Sequence, residues 1–312
     1  MVCNPVSTAY HPQPTKDRLT VLDVLRGGRE RRFRLNQAAL SLLQGVVLSQ
    51  ATRQRLQRGC SQTERDEATF QPRLDTWLPK LGAPSRPAIP AAAAVAAYPA
   101  ETDLPVIRAL GCDAAPQFNG LTEARMLCWV HEGRAYKKLS PVVGLHRPAL
   151  DEFRQRLWEY YHQLLAYRQT PTPQERARLE ADFERLLTTR SGYDALDQRM
   201  AKTQAKKAAL LLVLPDPERP LHNKPAELAV RQRVRKRDVS FGPRTQAGRQ
   251  AWDPFMSLAE TAKKLGVSFY AYVQARIAGT QHIPPLAELV EQAAKELHLG
   301  GSWSAARPPP DY

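Results

Sequence analysis

The stretch DLPVIRALGCDAAPQFNGLTEARMLCWVHEGRAYKKL, residues 103–139, decides the fold class. VIRAL, at 106–110, is a short apolar run closed by Gly111, and it reads as a strand that ends at Asp113. RMLCWV, at 125–130, is too short for an ordinary helix and reads as a second strand. Two short strands in a chain otherwise dominated by helical periodicity point to an α/β or α+β core.

Downstream, residues 148–214 are helical by period. Leu150, Phe153, Leu157, Tyr160, Tyr161 and Leu164 share one face, and Leu179, Phe183, Leu186 and Leu187 share another. PTPQE, at 171–175, separates the two helices and favours the start of the second. This block reads as an all-helical insertion into the core. Next comes a Pro-rich turn, LPDPERPLHNKP (214–225). Pro225 suits a first helical turn, Asn223 stands close enough to help cap it, and Glu227 falls inside that turn. A further amphipathic helix is expected over 253–277, with Phe255, Leu258, Ala259, Ala262 and Leu265 in register and a break or bend at Gly266.

Upstream, LTVLDVL (19–25) is apolar enough for a buried strand or a short helix. Residues 36–58 have helical spacing. The Ala- and Pro-rich stretch from Pro84 to Pro99 reads as a linker or as a short helix ending at Pro99. SWSAARPPPDY at the C-terminus has the composition of a loose tail. The expected organisation is core strands and intervening helices over 1–147, the helical insertion over 148–214, C-terminal core helices over 215–280 and a tail over 281–312.

The chain has 312 residues, a formal charge of +14 and 43% hydrophobic residues. It is long enough for one large domain or two ordinary ones, with a sizeable core. An excess of that size points to a polyanionic partner, nucleic acid foremost. There is no apolar run of bilayer length and no secretory signal in the first residues, so a cytoplasmic chain without a membrane partner is expected. The four cysteines are scattered and expected to be reduced thiols.

Several residues invite a chemical reading. Asp113 follows a strand, where α/β folds place their sites, and it would equally serve as a turn residue. Glu227 stands before the cluster Arg231, Arg233, Arg235, Lys236 and Arg237. Alone it reads as helix support paired with Arg231 four residues on. The basic cluster, with further cations at 134–138 and 202–207 in a basic chain, favours phosphate binding. Cys128 and His131 have C-x-x-H spacing, but no second ligand pair accompanies them. His131 beside Arg134, Lys137 and Lys138 reads as part of a phosphate-contacting surface.

LCWVHEGRAYKKL (127–139) and the long stretch PLHNKPAELAVRQRVRKRDVSFGPRTQAGRQAWDPFMSLAETAKKLGVSFYAYV (220–273) resemble the DDE transposases of the insertion-sequence-sixty-six type. CDAAPQF (112–118) and, more weakly, KDRLTVLDVLRGG (16–28) extend the resemblance. It implies an RNase H-like core in which three acidic residues hold two Mg2+ (or Mn2+) ions for in-line attack on a phosphodiester. Carried over, Asp113 takes the place of the second acid and Glu227 that of the third, both as catalytic metal ligands. DNA, as transposon ends and target, is the implied partner, with a second copy or a full-length transposase beside it. Three departures matter. Ala114 stands where the family has a second Asp, and Lys224 where it has a second Asn. The first catalytic Asp has no counterpart among Asp17 and Asp23, although Asp23, between Leu22 and Val24, is placed for a strand. The resemblance thus implies an incomplete RNase H-like core, the C-terminal part of a transposase, with impaired DNA transposition or a non-catalytic DNA-binding or regulatory role.

Overall fold

The computed structural model describes residues 1–299 apart from Pro12, Pro14, Lys80, Ala83, Pro84, Pro105, Gln281 and His298. Of the tail expected over 281–312, Leu286–Glu296 form a helix and 302–312 lie outside the described residues. The chain forms a mixed α/β structure divided into two compact units. One comprises Met1–Arg108 together with the chain from Lys224 onward, and the other is Ala109–Asn223.

The first unit opens with a hairpin, β1 (Val2–Cys3) and β2 (Thr8–Ala9), paired antiparallel with Cys3 opposite Thr8. Asn4 closes its turn, because Oδ1 accepts from the backbone N–H of Val6 and Ser7 at 3.0 and 2.6 Å. LTVLDVL resolves as helix: α1 spans Arg18–Leu25, and Asp17 caps it by accepting from Thr20 N at 2.8 Å. The cap decides between helix and strand, since it satisfies a donor that only a helix start leaves open. The strand placement of Asp23 is therefore corrected. It lies inside α1 and accepts from Arg31 Nε and Nη2 at 2.7 and 2.6 Å.

Next come β3 (Arg32–Phe33), α2 (Gln37–Leu42), α3 (Gln50–Arg58), β4 (Arg65–Asp66), α4 (Glu67–Trp77) and α5 (Ala88–Ala97). The helical spacing at 36–58 is thus carried by two helices, the second capped by Ser49 accepting from Thr52 N at 3.1 Å. α5 settles the Ala-rich stretch as helix. Ile89 and Ala92–Ala97 are buried, and the helix packs on α1, α2 and β3. Small side chains let neighbouring backbones come close, and alanine forms helix most readily. Phe33 and Phe70 stack beside it at 4.7 Å.

In the second unit β5 (Ala109–Cys112) and β6 (Ala124–Leu127) pair in parallel, Ala109 opposite Ala124 and Cys112 opposite Leu127. The second expected strand stops at Leu127: Cys128 is the N-cap of α6 (Trp129–Lys137), and Trp129 and Val130 are helical. Four helices follow: α7 (His146–Tyr167), α8 (Pro173–Thr188), α9 (Asp194–Gln204) and α10 (Lys207–Leu210). Thr172 caps α8 and Pro173 occupies its first turn, as PTPQE predicts. The two faces read from the sequence meet in one core with Trp129 at its centre. Its ring lies 5.6 Å from Tyr160 and 6.2 Å from Phe183, and Nε1 donates to Leu210 O at 2.9 Å. Glu132 is buried beneath α6 but fully engaged. It accepts from Thr203 Oγ1 at 2.7 Å and Lys206 Nζ at 2.9 Å, and it pairs with Arg199. A buried carboxylate with that many donors is a structural network.

The chain then returns to the first unit as α11 (Lys224–Ser240), α12 (Gln246–Lys264), α13 (Phe269–Ile277) and α14 (Leu286–Glu296). The helix expected over 253–277 is two helices. Gly266 adopts φ +70°, a conformation costly for any residue with a Cβ, and Val267 N donates back to Ala262 O at 2.9 Å. Ala262, Tyr272 and Leu286 are buried where α12, α13 and α14 meet, while Phe255 faces outward. The N-terminal hairpin docks on α12. Thr8 N donates to Thr261 Oγ1 at 3.2 Å, Tyr10 N donates to Ser257 Oγ at 2.9 Å, and Lys264 Nζ donates to Ser7 O at 2.8 Å. All described strands belong to two-stranded sheets. No described helix is long and apolar enough to cross a membrane.

Candidate functional site

Asp113 and Glu227 belong to different units, and the surroundings of each are described within its own unit. Asp113 is the first residue after β5 and is half-buried. Its Oδ1 accepts from Ala115 N at 3.0 Å, an Asx turn that ends the strand. This places a carboxylate at the C-terminal end of a parallel strand, the position from which α/β sheets present chemistry. The chain then crosses to β6, and Cys128 N donates to Cys112 O at 3.1 Å, so the start of α6 is fastened to the same strand end.

α6 carries the second group of expected residues. His131 is half-buried in its first turn, and Arg134, Lys137 and Lys138 are exposed along and just beyond it. From Gly133 to Leu150 the chain contains no carboxylate. The α6 surface therefore offers cations without a neighbouring acid in the stretch that follows.

Burial shapes the proton chemistry around this strand end. The Cys112 thiol is pushed from its ordinary 9.0 up to about 12, chiefly by burial and further by Asp113, with Arg125 opposing. Burial also pushes the Tyr136 hydroxyl from 10.0 up to about 12, against its hydrogen bond with Thr203. A proton held more tightly by the folded chain contributes stability that is complete below the unfolded value and is lost as pH climbs through the folded one. The helix signal in circular dichroism should therefore hold to about pH 9 and decline from there toward pH 12. A signal flat to pH 12 contradicts this. In the same protein the exposed Cys60 should alkylate in the folded chain, faster as pH rises because burial pushes its thiol up as well, and Cys112 only after unfolding.

Glu227 lies in the first turn of α11, half-buried, where the helix dipole favours a negative charge. α11 is exposed along most of its length, with Ala229 its buried contact. Tyr10 reaches it from the hairpin, donating through its hydroxyl to Ala229 O at 2.7 Å. The five α11 cations expected to bind DNA do not share one environment. Arg231, Arg235, Lys236 and Arg237 are exposed, whereas Arg233 turns toward α12 and pairs with Asp253 at 2.8 Å. Asp253 is only 3% exposed, so Arg233 neutralises a buried charge and anchors α11. Sequence spacing shows Arg233 as one rung of a ladder. Only the fold reveals its partner twenty residues on.

Two residues of the resemblance are committed elsewhere. Asp17 is a helix cap, and Asp23 is bound to Arg31. Asp113 and Glu227 offer hard oxygen donors, the chemistry that magnesium or manganese requires.

Residues 109–251 match the model of the family described as Transposase IS66 family. The match begins at the first residue of β5 and runs through α11 into α12. The chain is also similar to the uncharacterized protein y4jO of Sinorhizobium fredii (strain NBRC 101917 / NGR234). The two are 30% identical over 295 residues, which covers 92% of this chain and 89% of that protein. No solved structure matches the chain.

Proposed function

This chain belongs to the IS66 transposase family, and from that premise we propose that it works on DNA in transposition, with Asp113 and Glu227 as its metal-holding carboxylates. One observation carries the reading beyond the family. A single acid occupies the first turn of a 17-residue helix whose later turns expose Arg231, Arg235, Lys236 and Arg237. The cations attract and align a phosphodiester backbone, and the acid stands at the end of that track. The Asx turn at Asp113 holds the second carboxylate at a strand end, and the parallel pair β5–β6 behind it supports an RNase H-like reading of this part of the core. A bound magnesium or manganese ion would supply Lewis-acid polarisation of the phosphate and an activated nucleophile. His131, Arg134, Lys137 and Lys138 would offer phosphate contacts of their own along α6, within the second unit. Transposon ends, target DNA and a second transposase copy are the partners this reading calls for.

A second reading, DNA binding without chemistry, has its own support. Asp17 and Asp23 are engaged within the first unit, so neither supplies a third carboxylate. Lys224 places a cation in the same helical turn as Glu227. Both readings require DNA binding, which fluorescence anisotropy on a labelled duplex tests directly. The logarithm of affinity should fall with the logarithm of salt concentration with a slope of about −4 or steeper if the four exposed α11 cations engage phosphates. Substituting Lys236 and Arg237 by alanine should reduce that slope by about 2 and weaken all duplex sequences alike. Absence of binding at low salt would overturn both readings. Nicking of a supercoiled plasmid in magnesium or manganese then separates the two.

A further inference from the structure

α11 ends on a conformation that its residue does not favour. Phe241 has φ +58°, and it is the one non-glycine with positive φ among the described residues. The Cβ of an L-residue crowds the following carbonyl in this region, which is why helices commonly end on glycine there. Glycine is present but one position later: Gly242 has φ +72°. The unfavourable backbone is not offset by packing, because Phe241 is 81% exposed. A large apolar ring held in solvent by a disfavoured turn is a feature from which function is reasonably inferred.

Its surroundings indicate what it meets. Residues 231–244 contain six Arg and Lys side chains and one carboxylate, Asp238. Lys236, Arg237 and Arg244 flank the turn and are exposed. Arg237 Cγ lies 3.3 Å from where a Cβ on Gly242 would stand, so its stem runs against the turn itself. Asp238 is 3.9 Å from Arg237 Nε and offsets part of that charge. A second copy of a +14 chain would bring like charge to this surface. A polyanion that carries flat apolar faces fits both the ring and the cations, and single-stranded nucleic acid has that chemistry.

We propose that Phe241 is a stacking platform for an unpaired nucleobase, with the adjoining phosphates held by Lys236, Arg237 and Arg244. This rests on the DNA reading above and narrows it: the ring meets a base only where the strands are parted, at a frayed end, a gap or a displaced strand. Duplex DNA engages the cations alone.

The test compares the full chain with its Phe241→Gly and Phe241→Trp variants, using a labelled mixed-sequence single-stranded oligonucleotide and a blunt duplex of equal length. Phe241→Gly should bind the single strand about tenfold more weakly or worse, the loss expected for one stacked base. Its duplex affinity should stay within about twofold, and its salt slopes should be unchanged, because the phosphate contacts remain. Its melting temperature should hold or rise, because glycine relieves the backbone. Phe241→Trp should retain single-strand affinity. Equal single-strand affinity in the glycine variant overturns the proposal and leaves the DNA reading standing. A lower melting temperature with equal losses on both DNAs overturns it by making the ring structural. A changed oligomeric state in sedimentation overturns it by making the turn a self-association surface. If the unsubstituted chain binds neither DNA, the DNA reading itself fails.

Discussion

Replacing Glu227 by glutamine is expected to lower metal-dependent nicking of supercoiled plasmid by about 10³-fold, because carboxylates that share metal ions act as a unit. The substitution keeps the size of the side chain and one oxygen while removing the charge that a divalent cation needs. DNA affinity should move the other way. Loss of a negative charge at the head of α11 leaves Arg231, Arg235, Lys236 and Arg237 less opposed, so binding at moderate salt should tighten slightly. Asp113→Asn should reproduce the loss of nicking. Opposite signs for binding and cleavage separate a catalytic role from a structural one, because a misfolded variant would lose both. Nicking that persists unchanged in Glu227→Gln would remove this residue from the chemistry.

Phe183→Ala should destabilise the second unit by about 3–5 kcal/mol, the range for deleting a fully buried aromatic side chain. Phe183 has no exposed surface and meets Trp129 edge-on at 87°. The void would open against Trp129 and Tyr160, two large rings whose polar ends are already tied. Trp129 Nε1 donates to Leu210 O, and Tyr160 donates to Leu179 O at 2.8 Å. Rings fixed at both ends cannot shift to fill the space, so the cost should fall near the upper end of the range. Urea titration followed by tryptophan fluorescence measures it. An unfolding free energy within about 0.5 kcal/mol of the unsubstituted chain's would show that this core collapses freely.

The helices of the second unit were legible in the sequence because each buries one stripe of large side chains at helical spacing. Leu150 to Leu164 and Leu179 to Leu187 emerge on the faces that their periodicity predicts. Glu227 in a first helical turn was legible from a proline-marked helix start, and Asp113 was legible as a residue at a strand end, although the strand expected over 106–110 lies at Ala109–Cys112 and includes the glycine that was read as its close. LTVLDVL was not decidable from its own residues. Its hydrophobicity suits strand or helix, and the choice rests on a cap made by Asp17, just outside the run. The break at Gly266 was visible as a glycine, but not its consequence, two helices crossing where one was expected. Least legible were contacts between segments far apart in the chain. Arg233 holding Asp253, and Tyr10 reaching Ala229, leave no signature in either local stretch. Phe241 carries no periodic signal at all; only its backbone angle and its exposure set it apart.

The N-terminal hairpin has a bearing on how the chain comes off the ribosome. Val2–Ala9 is made long before the side chains that receive it, Ser257, Thr261 and Lys264. Ala109–Asn223, by contrast, is one uninterrupted run that can close on itself as soon as it emerges. Synthesis therefore completes this run before the hairpin can dock, and a nascent product halted before Gln246 would carry a finished helical body and a hairpin without its seat.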